Sequence, residues 1–376
     1  MIGNLEWSTP QQLWWLIVSL VGSLFVFLTF VQGGQTLILT LARSEDEKSL
    51  IVNSLGRKWE LTFTTLVLFG GALYAAFPLF YATSFGGAYW VWIAILLTFV
   101  VQAVSYEFRC KPNNFLGQRT YEVFLLVNGT VGILLIGAAV GTFFTGSNFR
   151  LNDYNLVQWT HALRGLEAAF NPFNVSFGLF LVFLARVLGS LYLVNNLEEA
   201  ELVKRLRGAS FNNLLLALPF LLFVLWKLVT MDGYAVDPAT ASVSLVAGKY
   251  LENLLAMPLV LVMLVAGLAL VIVGVALNRF TAFQRGIWPA GFGTVLTCLA
   301  VFFLAGYNNT PFYPSKVDLD SSLSIYNASS SHYTLTMMSY VALLVPFVLA
   351  YIVWVWRLMD ARQLTLDEIR GDKKSY

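Results

Sequence analysis

The chain has 376 residues, of which 58% are hydrophobic and 12% charged, and its formal net charge is +2. A soluble domain carries roughly 25% charged residues, so no water-facing domain fits here, and the near-neutral balance excludes a nucleic-acid surface. The only cysteines, Cys110 and Cys298, lie in separate segments, which excludes a disulfide framework and a zinc site built on CxxC pairs.

Runs of about 20 apolar residues mark transmembrane helices, and the sequence predicts nine, at about 12–32, 61–83, 88–108, 121–145, 174–195, 211–230, 256–278, 288–307 and 334–357. The expected fold is an all-α integral membrane protein, one polytopic bundle over 1–376 with a charged tail at 358–376. Residues before Leu13 include no Lys or Arg, and the apolar run that follows exceeds the ~7–15 residues of a signal core, so the first segment is read as an anchor.

Between the first two helices, "NSLGRKWELTF" (Asn53–Phe63) sets Trp59 and Glu60 at the mouth of helix two. An acid there is favoured by the positive end of a helix dipole. A short turn near Ser84–Ala88 makes helices two and three antiparallel neighbours, with axes ~8–10 Å apart if they pack directly. Counted from that turn at ~1.5 Å per residue, Glu107 lies ~6 Å deeper than Glu60. Two carboxylates at staggered depth can take up protons, since desolvation raises a carboxyl pKa towards neutrality. The alternative for Glu107 is an interfacial pair with Arg109 or Lys111.

Arg186 lies near the middle of helix five in "FLVFLARVLGSLYL", where an unpaired cation is costly. It calls for another protein surface, a buried anion, or an ion pair that fastens helices. Lys227 is placed to snorkel, and Pro78, Pro219, Pro258 and Pro346 are placed to bend their helices. The outer loops 146–173, 231–255 and 308–333 are long, with "FNPF" and "NNTPFYPS" reading as ordered caps. His161 and His332 read as structural, and two histidines are too few for a chain that ligates several haems. Trp14, Trp15, Trp59, Trp90, Trp92, Trp288, Trp354 and Trp356 gather near helix ends, the pattern of an interfacial aromatic belt. The sequence contains no P-loop, dinucleotide fingerprint, HExxH or nucleophile elbow, which excludes a self-contained kinase, dehydrogenase or hydrolase.

Orientation follows from the cations. Most of the 23 follow helices one, three, five and seven or end the chain, while Arg150, Arg164, Lys249 and Lys316 fall on the other side. The N-terminus is therefore expected outside and the C-terminus in the cytoplasm.

Several stretches occur in an order that resembles subunit II of cytochrome bd-type quinol oxidases. They are "WWLIVSLVG", "IVNSLGRKWE", "FGGALYAAFPLFYATSFGGAYW", "VSYEFRCK", "NPFNVSFGL", "MDGY" and "NASSSHYTLTMMSYVALLVPFVLAYIVWVWRLM", which together span nearly the whole chain. The resemblance implies a subunit of a complex that oxidises quinol and reduces dioxygen to water with protons drawn from the cytoplasm. It implies haems b and d in a partner subunit I and none ligated by this chain, with a quinone, lipid and a small accessory subunit as candidate companions. It also implies residence in a prokaryotic cytoplasmic (inner) membrane. The family's Trp-acid pair falls on Trp59 and Glu60, and its acid at the end of helix three falls on Glu107, followed by Arg109. These acids are associated in the family with a hydrophilic channel at the subunit interface. The chain departs from the family's acidic "DGFD"-type segment, reading "FVQGGQTL", so Gln32 and Gln35 stand there without an ionisable group. It also has "LTFTT" where the family has a "GNE/QVW" segment. Amides orient water but carry no charge, so the expected proton path comprises Glu60, Glu107, Trp59, Gln32 and Gln35, with Arg186 and Arg109 as buried structural charges. A secondary transporter, and a purely structural membrane subunit, are the alternative readings; a transporter calls for broken helices in matching halves, a pattern the sequence lacks.

Overall fold

The computed structural model describes residues 6–112 and 114–371; residues 372–376 of the expected tail lie outside the described residues. Nine helical segments among the described residues are long and apolar enough to cross a membrane: Ser8–Leu41, Glu45–Ala76, Tyr89–Phe108, Gln118–Thr145, Pro172–Asn196, Ala200–Thr230, Pro258–Phe280, Ile287–Gly306 and His332–Met359. They are named here the first to ninth spans. The all-α expectation gains two small outer hairpins. In one, β1 (Phe149–Leu151) pairs antiparallel with β2 (Val157–Trp159). In the other, β3 (Gly233–Val236) pairs with β4 (Val243–Val246).

Proline marks the interruptions, as its missing N–H and ring dictate. The helix Trp59–Ala76 stops at Phe77 and restarts with Pro78 at its first turn. The seventh span opens on Pro258 after Met257, and the ninth breaks at Leu343–Leu344 ahead of Pro346. Of these four prolines, Pro219 alone sits within the interior of a continuous helix. "FNPF" is a working cap: Asn171 accepts from the N–H groups of Phe173 and Asn174, with Pro172 next in line.

The segment read from sequence as a loop before Trp59 is a helix, Glu45–Gly56. Its start is written locally. Ser44 accepts from the Glu47 N–H, the Glu47 carboxylate accepts from the Arg43 N–H, and three acids fill the first turn. Leu50–Gly56 are all buried, so this helix belongs to the core.

The first span is longer than expected and bends at Thr29, after which Phe30–Ile38 are buried without exception. Spans one and five meet backbone to backbone. A Cβ at Gly33 would lie 1.8 Å from the Ala185 carbonyl oxygen, so only glycine permits the approach. Trp14 and Trp15 are core residues rather than belt residues: Trp14 donates to the Leu335 carbonyl and Trp15 to the Phe302 carbonyl. Indoles pack inside when their N–H finds a partner. Trp90, Trp288 and Trp354 do lie exposed on the apolar surface.

Candidate functional site: an amide core behind two outward acids

Spans two and three meet through aromatic rings rather than close backbone packing. Trp59 stacks on Tyr106 with centroids 5.7 Å apart, and Phe63 tilts against Phe99 at 5.8 Å. Both acids of the expected pair face outward: Glu60 is exposed, and the Glu107 side chain is 61% exposed with Lys111 Nζ 3.9 Å from its carboxylate. Within this chain alone neither carboxylate is desolvated.

Behind them lies a polar core formed by spans one, three and four. Gln35 Oε1 accepts from Gln102 Nε2 at 2.5 Å and from Tyr106 Oη at 3.0 Å. Its Nε2 donates to Asn128 Oδ1 at 3.1 Å and to the Leu125 carbonyl at 3.3 Å. Asn128 in turn donates to Thr98 Oγ1 at 3.4 Å. Gln32, one turn before Thr36 on the first span, is fully buried, and neither of its amide atoms has a partner. Trp59 Nε1 and Gln102 Oε1 are also buried without partners. Orphaned polar atoms inside a protein each cost about 1–3 kcal/mol, and here they cluster around one network.

Towards the helix ends the charges pair. Glu122 is fully buried between Arg109, at 2.9 Å, and Lys48, at 3.0 Å. Gln118 donates to the same carboxylate, and Lys48 also meets Glu45. Arg109 therefore turns to Glu122 and leaves Glu107 to Lys111. Beside Trp59, Lys58 is buried against Asp360 at 2.9 Å, and Asp360 also accepts from Asn196. The helix that bears Glu60 is thereby tied to the end of the ninth span.

Arg186 donates from Nε to Asn213 Oδ1 at 2.8 Å and from Nη1 to Thr36 Oγ1 at 2.5 Å. It joins spans five, six and one without an acid. Sequence reasoning missed Glu122, Lys48, Gln102, Tyr106 and Asn128. Glu122 left a signal, an acid just inside the predicted fourth helix. The amides left none, because their partners are 67 and 93 residues from Gln35.

His161 lies in an outer loop with Nδ1 3.6 Å from the Glu167 carboxylate, and His332 opens the ninth span. His161 and His332 thus sit at the ends of the bundle rather than within it.

The architecture is that of a multi-pass membrane protein assembled around a polar centre. The family model described as cytochrome bd terminal oxidase subunit II matches residues 10–359, and the chain belongs to that family. It is thus a subunit of a terminal oxidase. Cytochrome bd-I ubiquinol oxidase subunit 2 of Escherichia coli K12 is 27% identical over 99% of both chains. The cytochrome bd ubiquinol oxidase subunit 2 of Bacillus subtilis is 23% identical, covering 94% of this chain and 97% of its own. A chain of the bd oxidase from Geobacillus thermodenitrificans shares the fold, with a TM-score of 0.59 at 12% identity over 93% of this chain and 98% of that one.

Proposed function

We propose that this chain serves a quinol-oxidising, dioxygen-reducing complex by supporting a haem-bearing partner subunit and by bringing protons to it from the cytoplasmic side. The observation that carries the reading is the outward placement of Glu60 and Glu107 on spans otherwise apolar. Carboxylates on a membrane protein's surface belong where another protein or water covers them. A partner subunit packed on spans two, three and nine encloses both acids and lets them relay protons between water and the interior of the complex. Trp59 and Tyr106 form the wall behind the acids, and Gln35 anchors that wall through Tyr106. Haems b and d belong to the partner, since both histidines of this chain sit at the ends of the bundle; when bound there they supply the electron transfer and oxygen reduction. The quinol is the partner complex's reductant, and the names of the E. coli and B. subtilis relatives support ubiquinol-type substrates. The cation distribution supports an outside N-terminus and a cytoplasmic C-terminus in a prokaryotic inner membrane.

The test is oxygen consumption and proton uptake by the purified complex carrying Glu60→Gln or Glu107→Gln. Turnover is expected to fall by about tenfold or more, the scale of general acid-base contributions, with the haem spectrum unchanged. Wild-type turnover and proton uptake in both variants would leave the acids as helix anchors only.

A further inference from the structure

Arg186 is oriented but not neutralised. Its two acceptors, Asn213 Oδ1 and Thr36 Oγ1, are neutral. Both are themselves fixed, because Asn213 Nδ2 donates to the Ala209 carbonyl and the Thr36 hydroxyl to the Gly33 carbonyl. None of the ion pairs among the described residues includes Arg186, although other enclosed cations such as Arg205 and Lys58 each hold a carboxylate. A guanidinium has five N–H donors, and only Nε and Nη1 are engaged.

Gln32 supplies a second, independent observation. It precedes Thr36 by four residues on the first span, and residues so spaced share a helix face. Gly33, between them, lies against the Ala185 carbonyl, which places the residue before Arg186 at the same level of the bundle. The fully buried Gln32 amide, with no acceptor for its N–H groups, and the uncompensated guanidinium are thus carried towards one locus. Donors there exceed acceptors, and a positive charge lacks its complement. Water would satisfy the amide but not the charge; an anion accepts from the N–H groups of both, and Gln32 Oε1, also without a partner, is left to accept from a guanidinium N–H or a water. Arg186 is only half-buried, whereas its sixth-span partner Asn213 is buried, so the guanidinium is the exposed side of the locus.

We propose that Arg186 and Gln32 form a binding site for an anion, either a small inorganic ion or the phosphate of a lipid headgroup. The site shares Gln32 with the expected proton path but uses none of its acids.

The test measures thermal unfolding of the whole purified complex, before and after delipidation. It is run in sodium chloride, phosphate or gluconate at matched ionic strength, and with added phosphatidylglycerol or phosphatidylcholine. For the wild type, removing the anion is expected to lower the midpoint by about 1 °C, the shift of a ~1 kcal/mol contribution in a chain of this length. Recovery with chloride or phosphate alone identifies an inorganic ion; recovery only with phosphatidylglycerol identifies a headgroup. Arg186→Met abolishes the response and Gln32→Leu weakens it at least threefold; if Arg186→Met does not assemble, the Gln32→Leu response decides. The proposal is overturned if wild type and variants respond alike, if no anion or lipid shifts the wild type, or if a carboxylate of another subunit is found seated on Arg186.

Discussion

The first and ninth spans are both apolar helices of membrane length, yet their surroundings are opposite. Of the most apolar window in each, 67% is buried in the first span and 6% in the ninth. The first reaches its enclosure through small residues: Gly33 and Gly34 let span five come to backbone contact. The ninth, reading "VPFVLAYIVWVWRLM" after its break, presents aromatic and β-branched side chains with no small-residue stripe. Among the described residues its contacts with the rest of the chain gather towards its two ends: Trp14 meets Leu335 and Ser339, and Phe27, Phe30, Trp288 and Lys58 meet Trp356. Hydrophobicity alone therefore says that a helix lies in the membrane, while side-chain size says whether its neighbour is its own chain. The proposed partner subunit is expected to pack on a helix so uncovered.

That contrast can be broken most forcefully at Gly33. Gly33→Leu must displace the fifth span, costing more than the ~1–3 kcal/mol of ordinary overpacking, and the haem-containing complex is expected to disappear from the membrane fraction. Normal yield would show that spans one and five can separate freely. Next in size is Glu122→Ala, which leaves buried Arg109 and half-buried Lys48 to share only the exposed Glu45 and costs up to ~3–5 kcal/mol. Thermal melts of Glu122→Ala against the double variant Arg109→Met/Glu122→Met check this, because removing the pair together is expected to cost less than halving it. The Glu60 and Glu107 substitutions follow, acting on turnover rather than stability. The smallest effect on the chain itself belongs to the ninth span. Phe347→Ala and Tyr351→Ala remove exposed rings and are expected to change this chain's own stability by no more than ~0.5 kcal/mol. They should nonetheless reduce recovery of the partner subunit on a tagged purification; unchanged recovery would place the partner elsewhere.

The nine spans were legible because each carries its signal locally, in an uninterrupted apolar run. The proline interruptions at 78, 258 and 346 were legible for the same reason. The helix Glu45–Gly56 was missed although Ser44 and Glu47 spell a capping pattern, because its charged first turn reads as solvated loop when the buried Leu50–Gly56 stretch is not weighed with it. Trp14 and Trp15 misled because position near a helix end does not reveal whether a carbonyl waits nearby. In the candidate site, the residues with unusual charge or family pattern were found and their partners were not. Gln102, Asn128 and Thr98 are ordinary polar residues until folding sets them beside Gln35.

The amide core also constrains how the chain is made. Thr36 and Arg186 are 150 residues apart, which at ~5–20 residues per second separates their synthesis by roughly 8–30 s. For that interval Gln32, Gln35 and the glycines beside them have left the ribosome before the fifth span exists to cover them. The segment must wait, sheltered by the insertion machinery or held near the lipid headgroups, until the third and fourth spans deliver Gln102 and Asn128. A variant that slows the arrival of span five would then expose a polar helix to lipid and mark the nascent chain for proteolysis, even with every contact of the finished protein intact.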